Sequence, residues 1–367
     1  MELKKTDFAI ATLLALAVVI RFVISTPYLL DTRPTPYLLE SYLRSQDIVH
    51  DVENRVHISD SHIYYASGVL YALGADPTVY NFQHPPLVKY LFGFSGIIFN
   101  SPFYIQLLFA IAIPVLIYLT GVKLGKKLPG ALASLLVFID PLFIQLQSEL
   151  LLDLGLAAFV MTFLYVCLFY PKQLTLQGIL LAAAAATKFW STAVFVGLLT
   201  WVFLFTVMNK LSAKDFTKTA FISTITFCAV YLRSFTLQGL HFNIVFWQAK
   251  MLKFLLHHDS SEQLGGAIVL FLTGTYKSWW GGNQLLVSDT WSVLWPITLI
   301  IVLIYLVTRR KFDTISFYGW LGIIYLVFIS KGVPFARYFI VSLPIMYLSA
   351  VIAVSDLLAR FYRLYRR

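Results

Sequence analysis

The chain has 367 residues, 59% apolar and 13% charged, with a mean hydropathy of +0.77. That balance excludes an ordinary soluble domain and points to a polytopic membrane protein. The net charge of +10 is dispersed over the ends of apolar runs, so the expected partner is a lipid bilayer and no nucleic acid is expected. Cys167 and Cys228 lie inside apolar runs and give no disulfide framework.

The first apolar run, 8–26, follows Lys4 and Lys5 as a signal peptide would. No small-x-small cleavage site follows it, so a retained first helix is expected. A long polar stretch, 27–100, comes next. Within it, 36–45 sets Leu38, Leu39, Tyr42 and Leu43 on one helical face opposite Glu40 and Arg44. That pattern suits a helix lying on the membrane surface, or one packed on the protein's own surface. Segment 87–99 is too short to cross and is expected to be interfacial or re-entrant.

Runs of spanning length follow at 101–119, 129–145, 151–170, 176–190, 191–208 and 219–235. A second polar stretch, 236–290, contains another short apolar segment at 265–272, and three last runs lie at 291–308, 313–330 and 337–357. The expected fold is all-α: one membrane domain over 1–367, with about ten transmembrane helices and interfacial helices in two large external loops.

Alternating sides from a cytoplasmic N-terminus puts Lys123, Lys126, Lys127, Lys172, Lys210, Lys214, Lys218, Arg309, Arg310, Lys311 and the tail Arg360, Arg363, Arg366 and Arg367 inside, as the positive-inside rule demands. The same alternation puts the C-terminus inside and His50, His57, His62, His84, His241, His257 and His258 outside. Polar chemistry is therefore expected on the external face.

Ionisable groups at membrane depth are expensive and mark functional positions by default. Asp140, Glu149, Asp153, Lys188, Arg233, Lys331 and Arg337 fall at the external ends of expected spans. Glu149 and Asp153 are four apart, which on a continuous helix gives them one face. Lys188 and Arg337 are cations on the same side. In the first loop, Asp60 heads Asp60-Ser61-His62-Ile63-Tyr64-Tyr65, and 24 residues later comes His84-Pro85-Pro86-Leu87-Val88-Lys89. On spacing, Asp60 also suits a helix N-cap, and Asp31 is a rival carboxylate. His57, Asp60, His62 and His84 are of the types zinc or manganese accept, although their spacing matches no compact metal signature.

These strings resemble the protein O-mannosyltransferase family and its relatives, including the bacterial aminoarabinose transferases that modify lipid A, all GT-C type membrane glycosyltransferases. Asp60-Ser61 with Tyr64 and Tyr65, then His84 to Lys89, stand where the family has Asp-Glu, an aromatic and His-Pro-Pro-Leu-x-Lys. Gln147-Ser148-Glu149-Leu150-Leu151-Leu152-Asp153 is similar to its Gln-Ser-Arg-x-x-Leu-Leu-Asp string, Gly178 through Lys188-Phe189-Trp190 to its small-residue Lys-Trp string, and Ser278-Trp279-Trp280 to its late Ser-Trp-Trp. The chain departs at Ser61, at Glu149 in place of arginine, and in having no external soluble domain between its late helices.

The resemblance implies an enzyme that moves a sugar, with mannose the first expectation, from a polyprenyl (dolichyl-type) phosphate to an external hydroxyl of a protein, glycan or lipid, inverting the anomeric centre. It implies Asp60 as the base and no cofactor, and it assigns donor binding to His84, Lys89, Gln147, Glu149, Asp153, Lys188, Arg337 and Tyr338. An archaeal membrane is the natural source of such a donor. The rival readings are a lipid transporter or flippase without chemistry, for which no internal repeat is visible, and an inactive scaffold relative.

Overall fold

Apolar runs in lipid must satisfy their backbone polar groups internally, and the chain does so by forming helices. The structure is a computed structural model that describes residues 3–49, 51, 53–258, 264–278, 284–309 and 311–365. His50, Trp279, Trp280, Arg310, Arg366 and Arg367 lie outside the described residues, as do the side chains of His257, His258 and Arg363.

Seventeen helices follow one another among the described residues: α1 (Lys5–Ser25), α2 (Pro36–Leu43), α3 (Asp60–Ala72), α4 (Leu87–Phe99), α5 (Phe103–Lys123), α6 (Lys127–Ile139), α7 (Pro141–Gln147), α8 (Leu152–Phe169), α9 (Leu174–Ala185), α10 (Ser191–Val202), α11 (Ala213–Val230), α12 (Leu232–Gln238), α13 (Ile244–His258), α14 (Gly266–Thr273), α15 (Leu294–Thr308), α16 (Thr314–Ile329) and α17 (Leu343–Tyr365). A small antiparallel hairpin, β1 (Thr275–Lys277) and β2 (Leu285–Val287), sits between α14 and α15.

Every expected span coincides with an apolar helix or helix pair. Four helices, α1, α5, α8 and α17, are long and apolar enough to cross alone, and two bent pairs bring the number to six. The expected spans 176–190, 191–208, 291–308 and 313–330 correspond to shorter apolar helices, α9, α10, α15 and α16. This is an integral membrane protein.

Two spans read as continuous are broken. Pro141 lacks an N–H and cannot continue α6, so the chain turns by 63° and Asp140 caps α7, accepting from the Leu142 and Phe143 N–H groups. The 219–235 run bends by 57° after Val230, and α12 docks on the first polar loop. There Asp76 accepts from Ser234 Oγ (2.7 Å) and Gln238 Nε2 (2.6 Å), and Arg233 donates to the Gly74 carbonyl. The last span begins later than expected, because Ala336–Val341 forms a 3-10 turn ahead of α17.

Side-chain pairs tie the two ends of the bundle together. Lys127 meets Asp7 (2.6 Å), Lys126 meets Asp356 (2.5 Å), Lys172 meets Asp215 (3.4 Å) and Arg309 meets Asp313, so the basic segments share one end. At the other end, Asp140 accepts from Trp295 Nε1 (2.9 Å) and Tyr347 OH (2.6 Å), tying α7 to α15 and α17.

The short segments pack on the protein. On α2, Leu38 and Tyr42 are buried while Leu43 of the same apolar face is exposed, and the Tyr42 hydroxyl donates to Asp47. On α14, Leu270 and Phe271 are fully buried, with the Phe271 ring 5.7 Å from Trp295 and 5.2 Å from Phe339. Helices α3 and α4 cross closely enough that a Cβ on Gly68 would strike the Lys89 carbonyl, and one on Gly93 the Gly68 carbonyl. That crossing sets the position of the N-terminus of α3, where Asp60 lies.

Candidate active site

Asp60 occupies the first turn of α3. The N-cap is Ser59, whose Oγ accepts from the His62 N–H and also lies 2.8 Å from His62 Nδ1. Relieved of capping, the Asp60 side chain projects to Arg337, and Arg337 Nη1 donates to Asp60 Oδ2 at 2.8 Å. The carboxylate stays 42% exposed, so Oδ1 remains accessible to another group.

Arg337 links Asp60 to a second, drier pair. Its Nε lies 3.9 Å from Asp153 Oδ2, and Lys188 Nζ donates to Asp153 Oδ1 at 2.5 Å. Asp153 is in the first turn of α8, where the helix dipole favours a carboxylate. Lys188 sits in the short break between α9 and α10, its ammonium 4.2 Å over the Tyr338 ring, and Arg337 lies over Phe335 at 4.6 Å. Aromatic faces stabilise cations held away from water. The result is an alternating row, Asp60, Arg337, Asp153, Lys188, assembled from four separate parts of the chain.

One end of this row opens into a cavity of ≈ 450 Å³ whose polar head is formed by His84, Asp153, Lys188, Lys331 and Tyr338. Its remaining wall is chiefly apolar, with Leu252, Leu255 and Leu256 of α13 facing Tyr325, Phe328 and Ile329 of α16. The His84 ring packs edge-on against Tyr64 (5.8 Å), and its Nδ1 is buried without a hydrogen-bond partner. Burial, and then the charges of Lys188, Lys89 and Arg337, push the His84 imidazole well below its usual range and keep it neutral.

Arg337 also lines a smaller, more polar cleft of ≈ 260 Å³, walled by the α7–α8 break, by Tyr276 of β1, by Val287 of β2 with the turn after it, and by Pro334 to Ala336.

The structure therefore brings Asp60, Asp153, Lys188, Arg337, Tyr338 and His84 together and sets three other expected residues elsewhere. Lys89 is fully buried, its ammonium donating to the Asn81 carbonyl (2.7 Å), Asn81 Oδ1 (3.0 Å) and the His84 carbonyl (2.7 Å). It fixes the loop that carries His84 and does not face the cavity. Glu149 does not share a helix face with Asp153, because α8 starts at Leu152 and Glu149 lies in the break before it, lining the polar cleft. Gln147, the last residue of α7, is buried with its Nε2 unpartnered.

Asp31 pairs locally with Arg33 at 3.1 Å in an exposed turn. Among the described residues no three His, Cys, Asp or Glu side chains gather as metal ligands. The leucines of α13 were not foreseen. Their 252, 255, 256 spacing is the signal of an apolar helix face, but it sits in a stretch read only as polar loop.

Searches with family models find no match to this chain, and none of the curated proteins matches it. Among solved structures, ArnT from Cupriavidus metallidurans bound to undecaprenyl phosphate superposes with a TM-score of 0.63 over 96% of this chain, at 15% identity. The fold is that of ArnT. The apo form of the same ArnT gives a TM-score of 0.61, again with 96% of this chain and 15% identity. This chain spans 61% and 60% of the length of those two ArnT chains. At that identity the likeness to ArnT is one of fold, and it agrees with the fold implied by the sequence motifs.

Proposed function

We propose that the protein is a membrane glycosyltransferase that takes a sugar from a polyprenyl phosphate and transfers it, with inversion, to a hydroxyl presented outside the cell. The observation that carries the reading is the Asp60, Arg337, Asp153, Lys188 row, whose Asp153 and Lys188 end forms part of the polar head of an otherwise apolar cavity. A lipid-linked phosphate needs both halves of that environment: apolar wall for the first isoprene units and fixed positive charge for the phosphate. The undecaprenyl phosphate bound to ArnT, a protein of similar fold, supports a polyprenyl-phosphate donor.

In this reading the acceptor hydroxyl gives its proton to Asp60 Oδ1 as its oxygen attacks C1 of the sugar. The bond from C1 to the phosphate oxygen breaks, and its electron pair leaves with the polyprenyl phosphate. No general acid is required, since the leaving group is a stable anion. Arg337 and Lys188, both largely buried, meet the charge it acquires as preorganised electrostatic stabilisers. Arg337 also orients the base by holding Oδ2. His84, neutral, lines the head of the cavity beside Lys188 and takes part in binding the phosphate or the sugar in this reading. The Tyr338 ring holds Lys188 in place. Mannose is our first choice of sugar.

The test is transfer of radiolabelled mannose from polyprenyl-phosphate mannose to native membrane extract by the purified protein. Asp60→Asn is expected to lower transfer at least 100-fold while leaving donor binding within about threefold, since Arg337 and Lys188 are both retained. Normal transfer by Asp60→Asn would remove Asp60 as the base. Failure of the wild type to bind any polyprenyl phosphate would remove the reading itself.

A further inference from the structure

We infer that the polar cleft beyond Arg337 is the acceptor subsite and that it takes a neutral saccharide, not a peptide and not an anionic lipid headgroup. This rests on the glycosyl-transfer reading, and the argument is one of position, size and chemistry.

Position comes first. Arg337 lines the cleft, and the same guanidinium holds Asp60 at 2.8 Å. Asp153 and Lys188, in contrast, line the apolar cavity. The cleft therefore reaches the row through Arg337, the partner of the proposed base, while the cavity reaches it at the Asp153 and Lys188 end, so the two hollows touch one row of charges at different points.

Size follows. At ≈ 260 Å³ the cleft falls just below the usual range for drug-sized ligands, roughly 300–1,000 Å³. It suits one ring-sized group and is too small for an extended peptide of several residues.

Chemistry decides the class. The polar lining is Gln145, Glu149, Tyr276, Ser288, Asp289 and Thr290, and most of the surface presented is polar, the reverse of the apolar cavity. Glu149 Oε1 accepts from Gln145 Nε2 at 2.7 Å, which fixes that carboxylate and leaves Oε2 for a ligand. Ionised carboxylates only accept, so they match the hydroxyl donors of a sugar ring. The ring of Tyr276 supplies an apolar face for its C–H side. With Glu149 and Asp289 both negative, and Arg337 already paired with Asp60, an anionic acceptor meets net repulsion.

The experiment is saturation-transfer NMR on the full chain in detergent, with methyl α-mannopyranoside, mannose 6-phosphate and a Ser/Thr-containing octapeptide as probes, and undecaprenyl phosphate binding measured on the same samples. Methyl mannoside is expected to give signal in the wild type that falls at least fivefold in the Glu149→Gln/Asp289→Asn double variant. Mannose 6-phosphate is expected to bind weakly to the wild type and to gain in the double variant. Neither side chain is fully buried, so the variant should fold, and unchanged undecaprenyl phosphate binding would show that it has. Methyl mannoside signal indifferent to the double variant, or binding of the peptide alone, would overturn the inference. Loss of undecaprenyl phosphate binding in the wild type would instead strike the functional reading, whatever the cleft does.

Discussion

Replacing Asp153 by Asn separates stability from ligand binding in a way that tests the row of charges directly. In the native protein Asp153 is 5% exposed and Lys188 13% exposed, with 2.5 Å between Oδ1 and Nζ, and Arg337 Nε stands 3.9 Å from Oδ2. Removing one partner from a buried ion pair typically costs about 3–5 kcal/mol. Asp60 still neutralises Arg337, so a loss near the lower end, about 3 kcal/mol, is expected. The effect on a bound phosphate has the opposite sign. Asp153 competes with the phosphate for Lys188 and repels it, and at the effective dielectric of such sites relief of that repulsion is worth on the order of 1–2 kcal/mol, or roughly 5- to 30-fold in Kd. The assay is a thermal melt in detergent followed by titration with undecaprenyl phosphate, with Lys188→Met as the comparison. Asp153→Asn should melt earlier yet bind more tightly, while Lys188→Met should lose both. Weaker binding by Asp153→Asn would mean that the carboxylate itself holds the ligand, and an unchanged melt would mean that the pair is not buried as described.

Two further outcomes follow from the packing and the titration of the site. Gly93→Ala places a methyl group against the Gly68 carbonyl and must push α3 away from α4. Overpacking of this kind costs about 1–3 kcal/mol, and because α3 carries Asp60, transfer should fall more than donor binding; equal loss of both would argue against α3 as the element that positions the base. The His84 imidazole is held neutral by burial and by Lys188, Lys89 and Arg337, below its unfolded value of 6.5. The unfolded chain therefore takes up a proton first as the pH falls, and His84 withdraws stability progressively below about pH 6.5. His84→Asn should melt with a shallower decline between pH 7.5 and 5 than the wild type, and parallel declines would exclude this origin.

Much of the molecule is legible without coordinates, and the reason is that the relevant signals are local. A run of about twenty apolar residues specifies a span through its own length and hydropathy, so all ten expected spans coincide with helices, and basic residues at alternate ends specify which ends share a side. Lys188 and Arg337 could be singled out because a charge beside such a run is conspicuous, and Asp60 and His84 because they head the first-loop strings that carry the family resemblance.

What the sequence could not determine is which of these groups face one another. The Asp60 to Arg337 bond joins residues 277 apart, and Lys188 reaches Asp153 across 35. Such pairings depend on how whole helices cross, which no periodicity encodes. The same holds for the failures. Lys89 and Lys188 are both cations next to proline- or aromatic-bearing turns, yet one is turned into the Asn81–His84 loop and the other into the cavity, because only the crossing of α3 on α4 closes off the first. Glu149 and Asp153 are spaced as helix neighbours, but the chain leaves α7 at Gln147 and re-enters a helix only at Leu152. Composition and spacing thus determined a helical membrane protein with its polar groups at one end. Tertiary packing alone decided that four of those groups form a row that meets two cavities.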